Sequence, residues 1–240
     1  MNKINNEMPA RQGPFGYTDE TVNAIERSLS SERLARYINA AQGNKKRALQ
    51  LYERNTALSE ALYGVIQGFE IALRNALHDT LRRDLGRDDW YDFVELEEAQ
   101  LQSIQTAKDS ILNWGKAVTP GRVVAELTLG FWVQLTSGKY EKTLWVKHLY
   151  RAFPIKLNRK DLFKRSDSIK KLRNRIAHHE PVLFRDLKRD YAGIIEAIKW
   201  ICPATSEWVE RTNCFEERFS APFPASRLEA DILPTGPRPG

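Results

Sequence analysis

Residues 58–81 read LSEALYGVIQGFEIALRNALHDTL, and this stretch decides the fold class. Leu58, Leu62, Val65, Ile66, Phe69, Leu73, Leu77 and Leu81 recur at steps of three and four. That spacing lines one side of a helix and makes a continuous buried stripe. The same periodicity extends outward. The segment from Lys45 to about Leu85 reads as one long helix or two, with Gly86 as its stop. Upstream, Thr18 or Asp19 caps a helix reaching about Leu29, and Ser30 or Ser31 caps the next. Downstream, Asp88–Glu98 is a turn anchored by Trp90, Tyr91 and Phe93, and a helix follows over about Glu97–Trp114. Thr119-Pro120-Gly121 starts another, and the almost wholly apolar Val123–Leu135 is expected to be one central buried helix. Helices over about Glu141–Ala152, Arg159–His178 and Phe184–Ile201 come next, with a short one around Ser206–Arg211. No repeat and no alternating strand pattern of useful length is present, so the expected fold is an all-α bundle.

The chain has 240 residues, enough for one domain with appendages. The expected organisation is a flexible segment over residues 1–16, a helical domain over 17–212 and a largely extended or disordered tail over 213–240. The tail is rich in proline, and its one apolar patch is Leu228, Ile232 and Leu233. Nothing approaches the ~18–20 apolar residues of a membrane helix. The N-terminus has no apolar signal segment, and Cys202 and Cys214 have no metal-like neighbours in sequence, so a reducing cytoplasm is the expected location. The net charge is +6, but residues 151–190 alone carry thirteen Lys and Arg against five Asp and Glu. The rest of the chain is therefore slightly acidic, and the cationic surface is concentrated in one block. Such a block attracts a polyanion. The alternative for any charge run is a solvated helix face.

Within that block lies Lys171-Leu172-Arg173-Asn174-Arg175-Ile176-Ala177-His178-His179-Glu180-Pro181. Two of the four histidines stand side by side here. Pro181 disfavours helix at its predecessor, so both sit at a helix C-terminus. Ile169, Leu172 and Ile176 share the core face. Arg173 lies at its edge, while Asn174 and His178 stack on the accessible side. RNA cleavage without metal needs a base for the 2′-hydroxyl, an acid for the leaving 5′-oxygen and a cation for the phosphoryl oxygens. His178 can be base or acid, Arg173 can clamp the phosphate, and Asn174 can orient either. One cluster has few imidazoles for two proton transfers, and a two-fold dimer would supply a second set. The spacing has a plainer reading too: the histidines cap helix carbonyls and Arg173 pairs with a carboxylate such as Glu70.

The wording of this segment, Leu172 through Pro181, resembles the signature of the Abi-like (abortive infection) proteins, a branch of the HEPN superfamily. Its motif is Arg, a polar residue, three more residues, then His. Similar wording recurs in order over about residues 25–212, at Leu29–Leu34 with Tyr37, Leu51–Asn55, Phe69–Ala76 and Gly121–Trp132. The resemblance implies a HEPN-like helical bundle with additional helices, often dimeric. It also implies a metal-independent endoribonuclease of a bacterial phage-defence or toxin system. Arg173, Asn174 and His178 match the motif, with His179 as a second imidazole. Glu70, Arg74 and Asn75 match the second recurring segment as supporting residues. Lys170, Lys171 and Arg175 are the expected RNA contacts. The expected partners are RNA, a second copy completing a composite site, and an antitoxin or phage-derived trigger. No metal or other cofactor and no membrane is expected.

Two other functions remain open at this point. A non-catalytic RNA-binding or regulatory module would use the same basic face. A metal hydrolase is less suited, because adjacent histidines lack helical ligand spacing and no Asp/Glu cluster accompanies them. His78 reads as a helix-surface or interface residue, and His148, near Trp145 and Tyr150, as structural.

Overall fold

The structure is a computed structural model, and it describes residues 15–222. Among the described residues there is helix and no strand. The apolar patch at Leu228, Ile232 and Leu233, and nearly all of the 1–16 segment, lie outside the described residues. Two compact units divide at Arg54/Asn55.

The first unit holds α1 (Asp19–Leu29), α2 (Ser31–Ala40) and the opening turns of α3 (Lys45–Leu85). Thr18 caps α1 through its side-chain oxygen, and Ser30 does the same for α2. Leu34 and Tyr37 of α2 are buried with Ala48, Leu49 and Leu51 of α3, and Tyr37 meets Tyr52 edge-on.

The second unit is built on the remainder of α3. All eight stripe residues from Leu58 to Leu81 are buried, so the periodicity has the consequence expected of it. Around them stand α4 (Glu98–Asn113), α5 (Pro120–Glu126), α6 (Leu129–Leu135), α7 (Arg159–Ala177), α8 (Leu187–Ile201), α9 (Pro203–Thr212) and α10 (Phe215–Ser220). The turn after α3 buries Trp90 and Tyr91 and leaves Phe93 exposed, so Phe93 is not the anchor the sequence suggested. Trp90 instead packs on Trp132 of α6.

Three expectations need correction. The apolar run Val123–Leu135 is not one helix; it breaks at Leu127-Thr128 into α5 and α6. The break is tolerated because its freed backbone groups find side-chain partners. The Glu70 carboxylate accepts the Leu129 N–H at 3.1 Å, and the Trp132 indole donates to the Leu127 carbonyl at 3.3 Å. Residues 141–152 form no regular α-helix either. They make a π-turn over Glu141–Trp145 and a 3-10 turn over Leu149–Ala152. Buried Arg159 reaches across to the Thr136 carbonyl and the Glu141 carboxylate, which ties this irregular stretch to the start of α7. Finally, the start of the presumed extended tail is helical. Phe215 of α10 is buried and stacks on Tyr191 of α8 with ring centroids 4.5 Å apart.

Candidate functional site

Helix α7 carries the motif residues. Asn158 caps its N-terminus by accepting the Lys160 N–H. Leu162, Ile169 and Leu172 are buried and fix its rotation. Asn174, His178 and His179 are exposed and Arg173 is half-buried, as the helical spacing predicts.

The helix ends in a well-defined cap. The Glu180 N–H donates to the Arg175 carbonyl at 2.8 Å and the His179 N–H to the Ile176 carbonyl at 2.9 Å. This is the Schellman arrangement, in which the first residue beyond the cap adopts left-handed geometry. Here that residue is His179, with φ +56°. Glycine is the usual occupant, because a β-carbon is strained there by ~1–2 kcal/mol. Arg175 closes the turn with an ion pair to Glu180 at 3.3 Å.

The exit from this cap is pinned by a residue not assigned a site role from the sequence. Asn55 is buried, and its Oδ1 accepts the N–H groups of Val182 at 2.7 Å and Leu183 at 3.0 Å. The chain just beyond His178-His179-Glu180 is thus fixed to α3. Its partners lie 127 and 128 residues away in the sequence, so no local pattern marks it.

The supporting residues divide. Glu70 binds the start of α6 and makes no ion pair with Arg173. Arg74 donates to its neighbour Asn75 at 3.0 Å on the surface of α3. The expected RNA contacts are each engaged locally: Lys170 and Lys171 share Asp167 at 2.7 and 2.8 Å. Burial alone would push the Asp167 carboxyl up, but those two lysines outweigh it and hold the group below its usual range. Such surface pairs contribute ~0–1 kcal/mol. Arg173 differs from its neighbours. No carboxylate lies within 4 Å of it among the described residues, and its Nε is buried without a hydrogen-bond partner.

Helix geometry alone does not aim Arg173 at His178. Five residues turn ~140°, whereas Asn174 and His178 differ by ~40°. Asn174 and His178 therefore share a side that Arg173 leaves.

The other histidines serve packing. His78 is half-buried, and its Nδ1 accepts the Trp90 indole N–H at 2.9 Å, so it is not the surface or interface residue the sequence suggested. His148 meets the Asp84 carboxylate at 3.2 Å, beside Arg151 at 2.8 Å. Among the described residues no group of three His, Cys, Asp or Glu side chains is placed to hold a metal ion. No helix among them is long and apolar enough to cross a membrane.

Comparison with family models, with curated proteins and with solved structures gives no match.

Proposed function

We propose that this protein is a metal-independent endoribonuclease acting at the C-terminus of α7, an RNA-cleaving effector of the abortive-infection type. The observation that carries the reading is the cap at His178-His179. Two imidazoles stand exposed at the end of a cationic helix, and one occupies a left-handed position that glycine would fill with less strain. His178 is the proton-transfer group, with Asn174 on its side of the helix to orient it. Arg173 is the phosphate clamp, a half-buried guanidinium with no carboxylate within 4 Å among the described residues. His179 is the second imidazole. The ~140° between Arg173 and His178 supports a composite site, in which a second copy presents its histidines to the first copy's arginine. The phage-defence role rests on the resemblance of residues 25–212 to the Abi-like proteins.

The same ~140° favours a second reading, in which α7 only binds RNA. Incubation of the full chain with total RNA in EDTA, followed by end-mapping, separates the two. The nuclease reading expects cuts bearing 2′,3′-cyclic phosphate, abolished by His178→Ala with RNA binding retained. Strict magnesium dependence, or no cuts at all, sinks it. Mixing Arg173→Ala with His178→Ala adds a test of the composite site. Random exchange between two-fold dimers should restore about a quarter of wild-type activity. No restoration would place Arg173 and His178 in the same subunit's site.

A further inference from the structure

A second feature of α7 lies on a different face from the histidines. Between α7 and α8 is a cavity of about 730 Å³, in the range of small-molecule sites. Its floor is apolar, made by Ile169 and Leu172 of α7 with Ile194 of α8. One wall is Trp200, with the Arg165 guanidinium over its ring at 5.5 Å from the centroid. Arg165 is held there by Glu196 at 2.8 Å and lies in the space a β-carbon at position 193 would fill. Gly193 is an interior helix residue, where glycine is unfavourable by ~1 kcal/mol relative to alanine. Its bare backbone is what leaves room for the guanidinium there.

The remaining charges are uneven in their partners. Arg185 is tied to Asp190 by two hydrogen bonds, 2.8 and 3.0 Å, and Asp186 caps α8 through the Arg189 N–H. Asp161 belongs to the first turn of α7. Lys164 and Arg189, on opposite walls, have no carboxylate within 4 Å among the described residues. Ser168 adds a hydroxyl between them. An aromatic ring with a guanidinium over it, two cations without a carboxylate partner among the described residues and a hydroxyl match one ligand chemistry: an aromatic base joined to phosphate.

We propose that the α7–α8 cavity binds a nucleotide, its base against Trp200 and its phosphates between Lys164 and Arg189. Trp200 and Arg189 are eleven residues apart on α8, a rise of ~16 Å. That span suits a nucleoside triphosphate or two linked nucleotides better than a monophosphate. The site stands whether or not the end of α7 cleaves RNA.

The test is calorimetric titration of the full chain with ATP, AMP, adenosine and inorganic pyrophosphate. A 2′-O-methylated RNA hexamer, which cannot be cut by 2′-hydroxyl attack, is the further arm. Saturable ATP binding is expected, with AMP and adenosine weaker. Arg189→Glu and Lys164→Glu should each weaken ATP by about tenfold or more, since each loses a charge-assisted contact. Both positions are exposed, so thermal melts should be unchanged. Trp200→Ala should weaken ATP by about tenfold, and Trp200→Phe should largely restore it. If the hexamer displaces ATP and shows the same variant dependence, the natural ligand is a nucleotide of an RNA strand; if it does not, a free nucleotide. Absence of saturable ATP binding overturns the proposal. So does pyrophosphate binding as tightly as ATP with no response to Trp200→Ala.

Discussion

Asn55→Ala should loosen the exit from the histidine cap, and the size of the effect follows from the contacts. The substitution removes one acceptor from two backbone N–H groups, those of Val182 and Leu183. Both residues are buried, at 0% and 2% exposed, so water cannot take over without local opening. A buried donor left unsatisfied is destabilising by ~1–3 kcal/mol, which makes ~2–6 kcal/mol for the pair. Against a total margin of ~5–15 kcal/mol this is a large fraction. Melting should fall by about 4–24 °C at ~2–4 °C per kcal/mol for a chain of this size. Asn55→Asp keeps an oxygen facing both donors and should lose less, since a carboxylate accepting two backbone N–H groups is well stabilised. Urea unfolding gives the totals, and hydrogen exchange gives the location. The Val182 and Leu183 amides should exchange faster in Asn55→Ala, ahead of the α3 core amides. A loss below about 1 kcal/mol, or uniform acceleration across the unit, would refute the pinning role.

Three other outcomes are expected. His179→Gly relieves a left-handed φ of +56° and should raise stability by ~1 kcal/mol in chemical unfolding while lowering RNA cleavage, a split a purely structural cap would not show. Gly68→Ala places a β-carbon 2.8 Å from Val209 Cγ2 on α9. The overpacking, ~1–3 kcal/mol, should outweigh the ~1 kcal/mol of helix propensity gained, and Val209→Ala should rescue it in a double-mutant cycle. Burial holds His78 below the ordinary imidazole value of 6.5. The folded state therefore favours the neutral ring that accepts from Trp90, and the unfolded chain binds the proton more readily. Its contribution is present above pH 6.5 and is lost as pH falls below it, so His78→Gln should flatten the acid side of the stability–pH curve measured by urea unfolding.

Local periodicity carried the parts of the fold that depend on neighbours in sequence. Leu58 to Leu81 form one stripe because helical spacing is a property of the segment itself, and Pro181 marks the end of α7 for the same reason. What the sequence hid depends on distant partners. Nothing within Val123–Leu135 announces a break, because the groups that make it tolerable include Glu70, 59 residues from the amide it accepts. Asn55 is equally silent. The left-handed His179 could be suspected only from its place before Glu180-Pro181, where a glycine would be ordinary.

Charge shows the same division most clearly, and it bears on where an anion can act. The run of thirteen cations in residues 151–190 suggested one broad basic face. The folded arrangement matches many of them to specific acids: Arg159 to Glu141, Arg165 to Glu196, Lys170 and Lys171 to Asp167, Arg175 to Glu180, Arg185 to Asp190. A paired surface cation can still turn to a phosphate, but it must first give up its carboxylate, so its net gain is smaller. Among the described residues, Lys156, Lys160, Lys164, Arg173 and Arg189 have no carboxylate within 4 Å to give up. Three of these, Lys164, Arg173 and Arg189, lie on α7 and its partner helix α8, beside the histidine cap and along the α7–α8 cavity. Phosphate should therefore favour these positions over the basic face as a whole. Neutralising these three should reduce the salt dependence of RNA binding more than neutralising Lys170, Lys171 and Arg175, although both sets remove three charges.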